Sequence, residues 1–571
     1  MRKRILSVIV AIACVLVPAG LVRAGGTPLD AQGHSWWHHA VVYEIYPRSF
    51  ADSNNDGIGD LNGITAKLDY LKSLGVDAIW LTPCYPSPQV DFGYDISDYR
   101  NINPEYGTLQ DFDRLVAEAK KRKIRIIMDL VLNHTSDKHP WFTDSRLSRT
   151  AKHRDWYLWR DGKDSRPPNN WQSIFGGSAW KFDPQTGHYY YHFFYAEQPD
   201  LNWRNPEAKN AMFDVVRFWL DRGVAGFRLD AIATMFEDPA LPDNPMAPGI
   251  NWVGDPNQEY KYNTGLPEVH DILRDLRKLV DTYDDRVLIG ETSGKDVPDL
   301  SRFFGRNLDE IQLPMNFFFT NTSKLSPAEF RKHIAAWDRN PAGGWPMYLL
   351  SNHDLDRHYV RYGDGKNNYA VAKLTATLLL TLRGTPQLYY GEEIGMENND
   401  PKTKEDVKDP IGKLFWPNYK GRDGERTPMQ WEDKPHAGFS QAAPWLPVAP
   451  SYPRHNVATQ DKDPHSILNF YRKLIALRRR SPALLDGEYV VLNENNPDVL
   501  SYLRKASTET VLVVLNMSSS PQKVDFDLTR YGLPAEKVRT LLGSTPDRKK
   551  FRNLIGFELS PFEAYVGRLS K

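Results

Sequence analysis

The sequence predicts a (β/α)8 barrel with a loop domain inserted after its third strand and an antiparallel β domain at its C-terminal end. Eight short apolar stretches follow one another, and most precede apolar residues at helical spacing. An irregular segment interrupts this alternation once, and the last part of the chain changes to alternating strand patterns. Repeated strand-then-helix units indicate a parallel sheet, and eight of them indicate a closed barrel.

Each predicted barrel strand is short, apolar and bounded by polar residues. Between the strands, positions such as Phe112, Leu115 and Ala119 place apolar side chains on one helical face. The predicted strands are Val41–Tyr46, Val76–Leu81, Ile124–Asp129, Ala225–Asp230, Arg286–Glu291, Ile311–Phe318, Tyr348–Ser351 and Pro386–Tyr390.

These patterns divide the chain into domains. The barrel is expected over residues 36–133 and 201–485. Residues 134–200 are rich in Trp, Pro, Asn and Asp and show little periodicity, so they predict the inserted loop domain, and 393–460 are similarly irregular. Residues 486–571 contain alternating stretches such as "EYVVL" and "TVLVVLNM", which predict the C-terminal β domain.

The N-terminal residues 1–24 are predicted to be a signal peptide. Three basic residues precede an apolar run from position 5 to about 22, and small residues follow near Ala24. An uncleaved membrane anchor is the alternative. We expect export to the periplasm or the medium without stable membrane association after cleavage. Cys14 lies in this segment, so the mature chain keeps Cys84 alone and forms no internal disulfide.

The overall charge argues against a nucleic-acid partner. Lys plus Arg and Asp plus Glu both total 72, so the formal net charge is zero, whereas nucleic-acid binders usually carry a basic excess. Aromatic residues make up 12% of the chain, a share that suits either core filling or stacking against sugars or bases. A small-molecule substrate is therefore expected.

Titratable or amide side chains lie at the ends of several predicted strands. Catalytic groups of a (β/α)8 barrel lie at the carboxyl ends of its strands. A single Asp at a strand end is ordinarily a cap or turn residue, but repetition across the barrel makes coincidence a poor explanation. The strand-end residues are Asp129, Asn133, His134, Arg228, Asp230, Glu291, His353 and Asp354.

The spacing of these groups predicts acid/base chemistry on a sugar. Arg228 and Asp230 are two residues apart on a strand and therefore point to the same face. We expect the guanidinium to lower the pKa of Asp230 and keep it ionised as a nucleophile. Glu291 would protonate the departing oxygen, with about 5–5.5 Å between the two carboxyl groups as in a retaining glycosidase. His353 and Asp354 would hold sugar hydroxyl groups.

The residues around these positions resemble the α-amylase family of glycoside hydrolases. "DLVLNH" (129–134), "GFRLDAI" (226–232), "GET" (290–292) and "NHD" (352–354) resemble its four motifs in order and spacing. "QPDLNW" (198–203) is similar to the further motif of its oligo-1,6-glucosidase and α-glucosidase branch. The resemblance extends from about Trp36 to the C-terminus and also includes "VVYEIYPRSF", "GYDISDY", "GTPQLYYGEEIGM" and "RTPMQW".

The resemblance implies a role for each matching residue. Asp230 would be the nucleophile, Glu291 the general acid/base and Asp354 the stabiliser of the transition state. Asp129 and Asn133 would be architectural. Residues that would contact the nucleophile or the bound sugar are Arg228, His134, His353 and Tyr94, the last by stacking on the sugar ring.

The resemblance also implies the mode of cleavage. Asp91 and Arg426 would pair over the non-reducing end of the substrate and make the enzyme exo-acting. In this branch Val after the nucleophile accompanies α-1,6 cleavage, and small or polar residues accompany α-1,4 cleavage. Ala231 occupies that position here, so we expect a maltose-type α-1,4 preference.

Three alternatives remain open at this point. The first is an oligo-1,6-glucosidase. The second is a sucrose isomerase or trehalose synthase that transfers the glucosyl group to a sugar; the absence of an "RLDRD" stretch disfavours the sucrose isomerase. The third is a non-enzymatic transporter heavy chain, which the presence of all three carboxylates disfavours.

The stretch "DSNNDGIGD" (52–60) predicts a structural cation site. Hard oxygen donors at Asp52, Asn54, Asp56 and Asp60 suit Ca²⁺ or Mg²⁺, and the resemblance adds the backbone oxygen of Ile58. Gly63 occupies the position where an EF-hand needs Glu, and a strand precedes the loop, so a calcium sensor is excluded. A solvated acidic turn is the alternative. No organic cofactor is expected.

Overall fold

The computed structural model describes residues 33–340, 342–533, 537–545 and 550–569. The predicted signal peptide, including Cys14, lies outside these residues. Within the described part of the chain, no helix combines the length and apolar character needed to cross a membrane.

The predicted barrel is confirmed. Over the described ranges, eight parallel strands lie in the spatial order Leu313–Pro314, Val287–Gly290, Gly226–Asp230, Arg125–Val131, Ala78–Leu81, Val42–Ile45, Thr385–Tyr389 and Met347–Tyr348. A parallel bridge between Met315 and Met347 joins the two edges of this sheet. Side chains such as Val42, Ile127 and Ile289 fill the barrel interior, and the alternate residues of the same strands pack against the helices. The strands are β1 (Val42–Ile45), β2 (Ala78–Leu81), β3 (Arg125–Val131), β4 (Gly226–Asp230), β5 (Val287–Gly290), β6 (Leu313–Pro314), β7 (Met347–Tyr348) and β8 (Thr385–Tyr389).

Helices follow the strands where the sequence shows helical spacing. Helix Leu109–Lys121 begins at a capping box in which Thr108 and Asp111 bond to each other's backbone amides. Helix Pro206–Asp221 begins at Asn205, which caps two amides. The other principal helices are Leu61–Ala66, Leu68–Leu74, Glu268–Val280, Val297–Leu300, Phe317–Thr320, Pro327–Asp338, His358–Arg361, Asn368–Thr381, Pro410–Phe415, Val457–Lys462, Ile467–Arg480 and Pro482–Asp486.

The sixth strand is shorter than predicted. The sequence predicted a strand over Ile311–Phe318, but β6 ends at Pro314 and a short helix begins at Phe317. The Asn316 side chain accepts a hydrogen bond from the Phe319 amide and caps this helix. Phe317 and Phe318 are therefore placed at the mouth of the barrel instead of continuing the strand.

Two further β structures flank the barrel. Residues 134–200 are fully described and contain three short antiparallel strands in the spatial order Trp159–Arg160, His188–Tyr191 and Trp180–Asp183. The described C-terminal residues form a six-stranded antiparallel sheet that packs against helices Pro327–Asp338 and Asn368–Thr381. Its strands are Glu488–Leu492, Val499–Lys505, Thr510–Asn516, Ala564–Leu569, Lys537–Gly543 and Phe551–Asn553 in spatial order, and Gln522–Val524 pairs separately with Phe557–Leu559.

Candidate active site

A cavity of about 520 Å³ opens at the carboxyl ends of the barrel strands. It collects strand-end residues that are far apart in the sequence, together with residues of the inserted segment and of the long loop after β8. Its titratable and aromatic-hydroxyl lining consists of Asp91, Tyr94, His134, Asp230, Glu291, Asp354, Tyr419 and Arg422.

The buried guanidinium of Arg228 organises the floor of this cavity. Arg228 Nη1 lies 2.7 Å from Asp230 Oδ1 and 3.0 Å from Asp129 Oδ2, and Nη2 lies 2.8 Å from Glu291 Oε2. Arg228 and Asp230 face the same side of β4, as their spacing predicted. One cation therefore holds three carboxylates from β3, β4 and the end of β5.

The protonation expected for Asp230 from the sequence is wrong. We expected a lowered pKa beside Arg228, but burial raises the pKa of Asp230 well above its usual range. The neighbouring carboxylates of Glu291 and Asp129 add to this increase, and a hydrogen bond links the side chains of Asp230 and Glu291. One guanidinium therefore faces three carboxylates, and burial together with the two neighbouring carboxylates outweighs its effect on the pKa of Asp230.

The backbone at Ala231 positions Glu291. Ala231 has a φ of 45° and a ψ of 37°, in the left-handed region that few residues with a side chain adopt. Its amide donates a hydrogen bond to Glu291 Oε2 at 3.0 Å. Thr234 Oγ1 lies 2.7 Å from the Ala231 carbonyl oxygen and 2.9 Å from Asn133 Oδ1, so its single proton is donated to one of these two acceptors. The Glu291 carboxylate is thus held by two groups: the Ala231 amide in the turn after β4 and the guanidinium of Arg228.

Asp354 lies beside two guanidinium groups and the imidazole of His353. Its Oδ1 is 3.0 Å from Arg422 Nη1 and 2.8 Å from Arg426 Nη2, and its Oδ2 is 3.1 Å from His353 Nε2. Burial acts to raise the pKa of Asp354, but these groups and Arg228 outweigh it and the pKa is lowered. The pKa of Asp354 is therefore shifted in the opposite direction to that of Asp230.

The predicted pair of Asp91 and Arg426 is wrong. Asp91 Oδ1 lies 2.8 Å from Arg422 Nη2, and Arg426 contacts Asp354 and donates from Nε to the His353 carbonyl at 2.8 Å. Both arginines belong to the stretch "GRDGERTP", four residues apart. The presence of Arg422 in the same stretch was the available signal, but only the path of the loop decides which arginine side chain reaches Asp91.

Arg422 is the residue that the sequence analysis missed at this end of the cavity. Besides Asp91 and Asp354, it binds the buried Asp409, with Nε 2.8 Å from Asp409 Oδ2. Burial opposes ionisation of Asp409, but Arg422 holds its pKa at about 2. Three carboxylates therefore fix one guanidinium in place in the lining of the cavity.

A second missed residue, Glu44 on β1, supports His353. Glu44 Oε1 lies 2.7 Å from His353 Nδ1, and His353 Nε2 lies 2.7 Å from the Tyr94 hydroxyl. The rings of Tyr94 and His353 stack at 5.4 Å. Burial lowers the pKa of His353 to about 3 and raises that of Glu44. A charged residue within the apolar "VVYEIY" stretch, on the same strand face as Val42, was the signal for Glu44.

His134 also lines the cavity. Its Nε2 lies 3.1 Å from the backbone oxygen of Tyr94, and Asn133 Nδ2 lies 3.3 Å from its Nδ1. Burial lowers the pKa of His134 to about 3, so the ring is neutral at the pH of most solutions. The two motif histidines, His134 and His353, therefore offer hydrogen bonds without charge.

The outer part of the cavity is aromatic. Trp252 comes from a hairpin after β4 (Met246–Ile250 and Pro256–Gln258) that the sequence did not predict. The Trp252 ring packs against Phe415 at 5.7 Å and Tyr419 at 5.5 Å. The other aromatic residues of this outer wall are Phe175, Phe194, Phe317 and Phe318.

The predicted cation loop folds into a tight turn beside the barrel. Asp52 accepts hydrogen bonds from the Asn55 and Gly57 amides, and Asp56 accepts one from the Ile58 amide. Asp60 accepts from the Gly63 amide and begins helix Leu61–Ala66. The oxygen donors fit Ca²⁺ or Mg²⁺ in kind.

The carboxylates of this loop would have to draw closer to enclose an ion. Among the described residues, only His34, His39 and Asp486 bring three imidazole or carboxylate ligand atoms within 4.8 Å of one another. Asp52, Asp56 and Asp60 are therefore more widely spread than that. Gly57, with a φ of 90°, gives the loop its turn, and a Cβ there would lie 2.3 Å from the Ala443 carbonyl oxygen.

Comparison with known proteins agrees with this architecture. The family model described as "Alpha amylase, catalytic domain" matches residues 44–487, and "Maltogenic Amylase, C-terminal domain" matches residues 489–566. A probable α-glucosidase of Rhizobium meliloti is 44% identical over 87% of this chain and 92% of its own length. An oligo-1,6-glucosidase of Parageobacillus thermoglucosidasius is 40% identical over 94% of this chain and 99% of its own length.

A solved structure shows the same fold. The trehalulose synthase MutB of Pseudomonas mesoacidophila MX-45 is 40% identical, with a TM-score of 0.86 over 94% of this chain and 100% of its own. The family model covers most of the chain, and the relatives match nearly their whole lengths. The chain therefore belongs to the α-amylase family of glycoside hydrolases and is an enzyme of the α-glucosidase type.

Proposed function

We propose that this enzyme is an exo-acting, retaining α-glucosidase that releases glucose from the non-reducing end of short α-1,4-linked glucosides. The observation that carries this proposal is the ion pair of Asp91 and Arg422 in the lining of the cavity, which we infer closes one end of it. A pocket closed in this way admits one terminal sugar and leaves no exit for a continuing chain. An endo-acting enzyme needs a cleft that is open at both ends.

Asp230 and Glu291, two of the three carboxylates that contact Arg228, have different roles in the proposed reaction. Asp230 attacks the anomeric carbon of the terminal glucose while the bond to the leaving oxygen breaks and Glu291 gives that oxygen its proton. Glu291 then takes a proton from water, whose oxygen attacks the anomeric carbon and releases Asp230. This step requires Asp230 to attack as a carboxylate, and the contact of its Oδ1 with Arg228 Nη1 favours that ionised form.

The remaining side chains act on the sugar ring. The ionised Asp354 faces the developing positive charge of the transition state and binds ring hydroxyl groups. His134 and His353 offer hydrogen bonds from neutral imidazoles, and Tyr94, stacked on His353, presents its ring to the sugar. Each of these residues lies within or directly against the cavity.

The linkage preference rests on Ala231. Its methyl group lines the cavity directly beside Asp230 and Glu291, where the second sugar must pass. A smaller side chain there leaves room for the approach of an α-1,4-linked sugar. The oligo-1,6-glucosidase relative supports the alternative α-1,6 preference, and the two are separated by comparing maltose with isomaltose.

Transfer of glucose to a sugar is the second candidate activity. The similarity to a trehalulose synthase favours it, as does the aromatic outer wall that includes Trp252 and Phe175. Aromatic faces bind a second sugar and exclude water, which would redirect the glucosyl intermediate from hydrolysis to transfer. The transfer reaction shares the covalent intermediate at Asp230 and differs only in its acceptor.

Two properties outside the cavity are also proposed. The loop with Asp52, Asn54, Asp56, Asp60 and the Ile58 carbonyl would hold Ca²⁺ or Mg²⁺ as a structural ion, supported by its all-oxygen donor set. The basic and apolar N-terminal residues support export to the periplasm or the medium.

A substrate panel tests the proposed activity. The purified enzyme is supplied with maltose, isomaltose, sucrose, trehalose and soluble starch, and the products are separated and quantified. We expect free glucose from maltose at the highest kcat/KM, slow release from starch, and α-glucose as the first anomer detected by proton NMR. Oligosaccharides released from within starch would contradict exo-action, and isomerised disaccharides as the main product would identify a transglucosylase.

A further inference from the structure

The cluster of His34, His39 and Asp486 lies on the side of the barrel opposite to the cavity. His39 comes three residues before β1, at the N-terminal end of that strand. Asp486 is the last residue of helix Pro482–Asp486, directly before the first C-terminal strand. The cluster thus joins the N-terminal segment to the junction between the barrel and the C-terminal sheet, a contact between positions 447 residues apart.

The ligand atoms of the three side chains are close enough together to contact one metal ion. His39 Nε2 lies 2.7 Å from Asp486 Oδ1, and His34 Nε2 lies 3.4 Å from the same oxygen. All three ligand atoms lie within 4.8 Å of one another. Tetrahedral zinc with bonds of about 2.0–2.1 Å places neighbouring ligand atoms about 3.3 Å apart, so small side-chain movements would close the set around an ion.

The three side chains of the cluster are partly exposed to solvent. The side chains of His34, His39 and Asp486 are 35%, 13% and 30% exposed, so water can complete the coordination from one side. The neighbouring His38 ring lies 4.9 Å from the His34 ring. Its Nδ1 lies 3.2 Å from the Ser35 carbonyl oxygen.

We propose that His34, His39 and Asp486 form a binding site for a divalent transition-metal ion of the zinc class. Two imidazoles and one carboxylate are a donor set that such ions prefer to hard cations such as Ca²⁺, so this site is chemically distinct from the loop at residues 52–60. The bound ion cross-links the N-terminal segment to the barrel's last helix. It stabilises the folded chain without contacting the cavity.

Zinc titration of the full chain tests this proposal. The purified protein is freed of metal with a chelator and titrated with ZnCl₂ by calorimetry, with thermal melts at each concentration. We expect one zinc ion per chain with a dissociation constant below about 100 μM and a Tm that rises with zinc. X-ray absorption at the zinc edge should show only nitrogen and oxygen ligands.

Two conservative variants assign the binding to this cluster. His34→Ala removes a partly exposed imidazole, and Asp486→Asn keeps the shape of the side chain while removing its charge. Each should weaken zinc binding at least about tenfold and abolish the zinc-dependent rise in Tm, with kcat for maltose unchanged. His465→Ala, at an exposed position in another part of the chain, is the matched control and should bind zinc as the wild type does.

Two results would overturn the proposal. One is zinc binding that is the same in the wild type and both variants, which would place the ion elsewhere. The other is no zinc binding by the wild type up to about 100 μM, which would leave His39 and Asp486 as an ion pair alone. A simple ion pair would lower the Tm of Asp486→Asn equally with and without zinc.

Discussion

Arg422 Nη2 lies 2.8 Å from Asp91 Oδ1, and both residues line the cavity. The same guanidinium holds Asp354 and Asp409. Arg422 therefore connects Asp91 in the pocket wall to Asp354, the proposed stabiliser of the transition state.

Asp91→Asn is expected to weaken binding of the terminal sugar. Loss of one charge-assisted bond costs about 1.5–3 kcal/mol, so kcat/KM for maltose should fall roughly tenfold to a hundredfold, mainly through KM. Activity on soluble starch should rise relative to maltose, because the closed end is loosened. Steady-state kinetics on both substrates measure this. An unchanged ratio of the two activities would contradict exo-selection by this pair.

Asp230→Asn and Glu291→Gln should separate the two proposed carboxylate roles. Asp230→Asn should lower kcat at least about a thousandfold on every substrate, since no covalent intermediate forms. Glu291→Gln should lose much more activity on maltose than on 4-nitrophenyl α-glucoside, whose leaving group needs no proton. Circular dichroism and Tm serve as folding controls. Equal losses of Glu291→Gln on both substrates would argue against the acid role.

Ala231→Val should shift the enzyme from maltose towards isomaltose. The residue adopts a φ of 45°, which a β-branched side chain tolerates poorly, so the Tm should also fall by several degrees. Ala231→Gly is the matched control, because glycine adopts this backbone freely and keeps the amide that binds Glu291. The ratio of kcat/KM for the two disaccharides is the measurement. A ratio unchanged by Val would remove Ala231 as the linkage determinant.

Removal of the proposed structural cation should lower stability more than activity. Treatment with a chelator should reduce the Tm, and added Ca²⁺ should restore it by mass action. The double variant Asp52→Asn, Asp56→Asn should have the lower Tm in either solution and no response to Ca²⁺. A Tm that is insensitive to chelation would support the alternative of a solvated acidic turn.

The raised pKa of Glu237 predicts that the stability of the wild type relative to the Glu237→Gln variant depends on pH. Burial raises the pKa of Glu237 to about 8, with Asp200 buried beside it. Between the ordinary glutamate pKa and about 8 the folded chain binds more protons than the unfolded chain, so this residue's contribution to the free energy of unfolding falls as pH rises. Glu237→Gln has no titrating group at this position and does not lose this stability as pH rises. The difference between its Tm and that of the wild type should therefore increase from pH 5 to pH 8.

An exposed glutamate provides the control for this experiment. Glu207→Gln changes the same charge at the solvent-exposed start of helix Pro206–Asp221. Its Tm relative to wild type should show little of the increase seen with Glu237→Gln. If both variants shift alike with pH, the effect comes from net charge and not from the buried carboxyl group.

The barrel could be predicted because its signals are local. Apolar runs and helical spacing mark each strand and helix, and a period of two places Arg228 and Asp230 on one face without knowledge of any partner. The sixth strand was overextended because Asn316 caps a helix there, and an apolar run such as "NFFF" does not distinguish a strand from a short helix.

The sequence by itself determined which strand ends carry the candidate catalytic residues. It also determined the family to which the chain belongs. Only the tertiary structure decided that Asp91 pairs with Arg422 instead of Arg426, since that choice depends on how an irregular loop folds over the cavity. It also decided the protonation of Asp230. Burial and the approach of Glu291 outweigh the neighbouring arginine, and both arise from contacts between strands that are distant in the sequence.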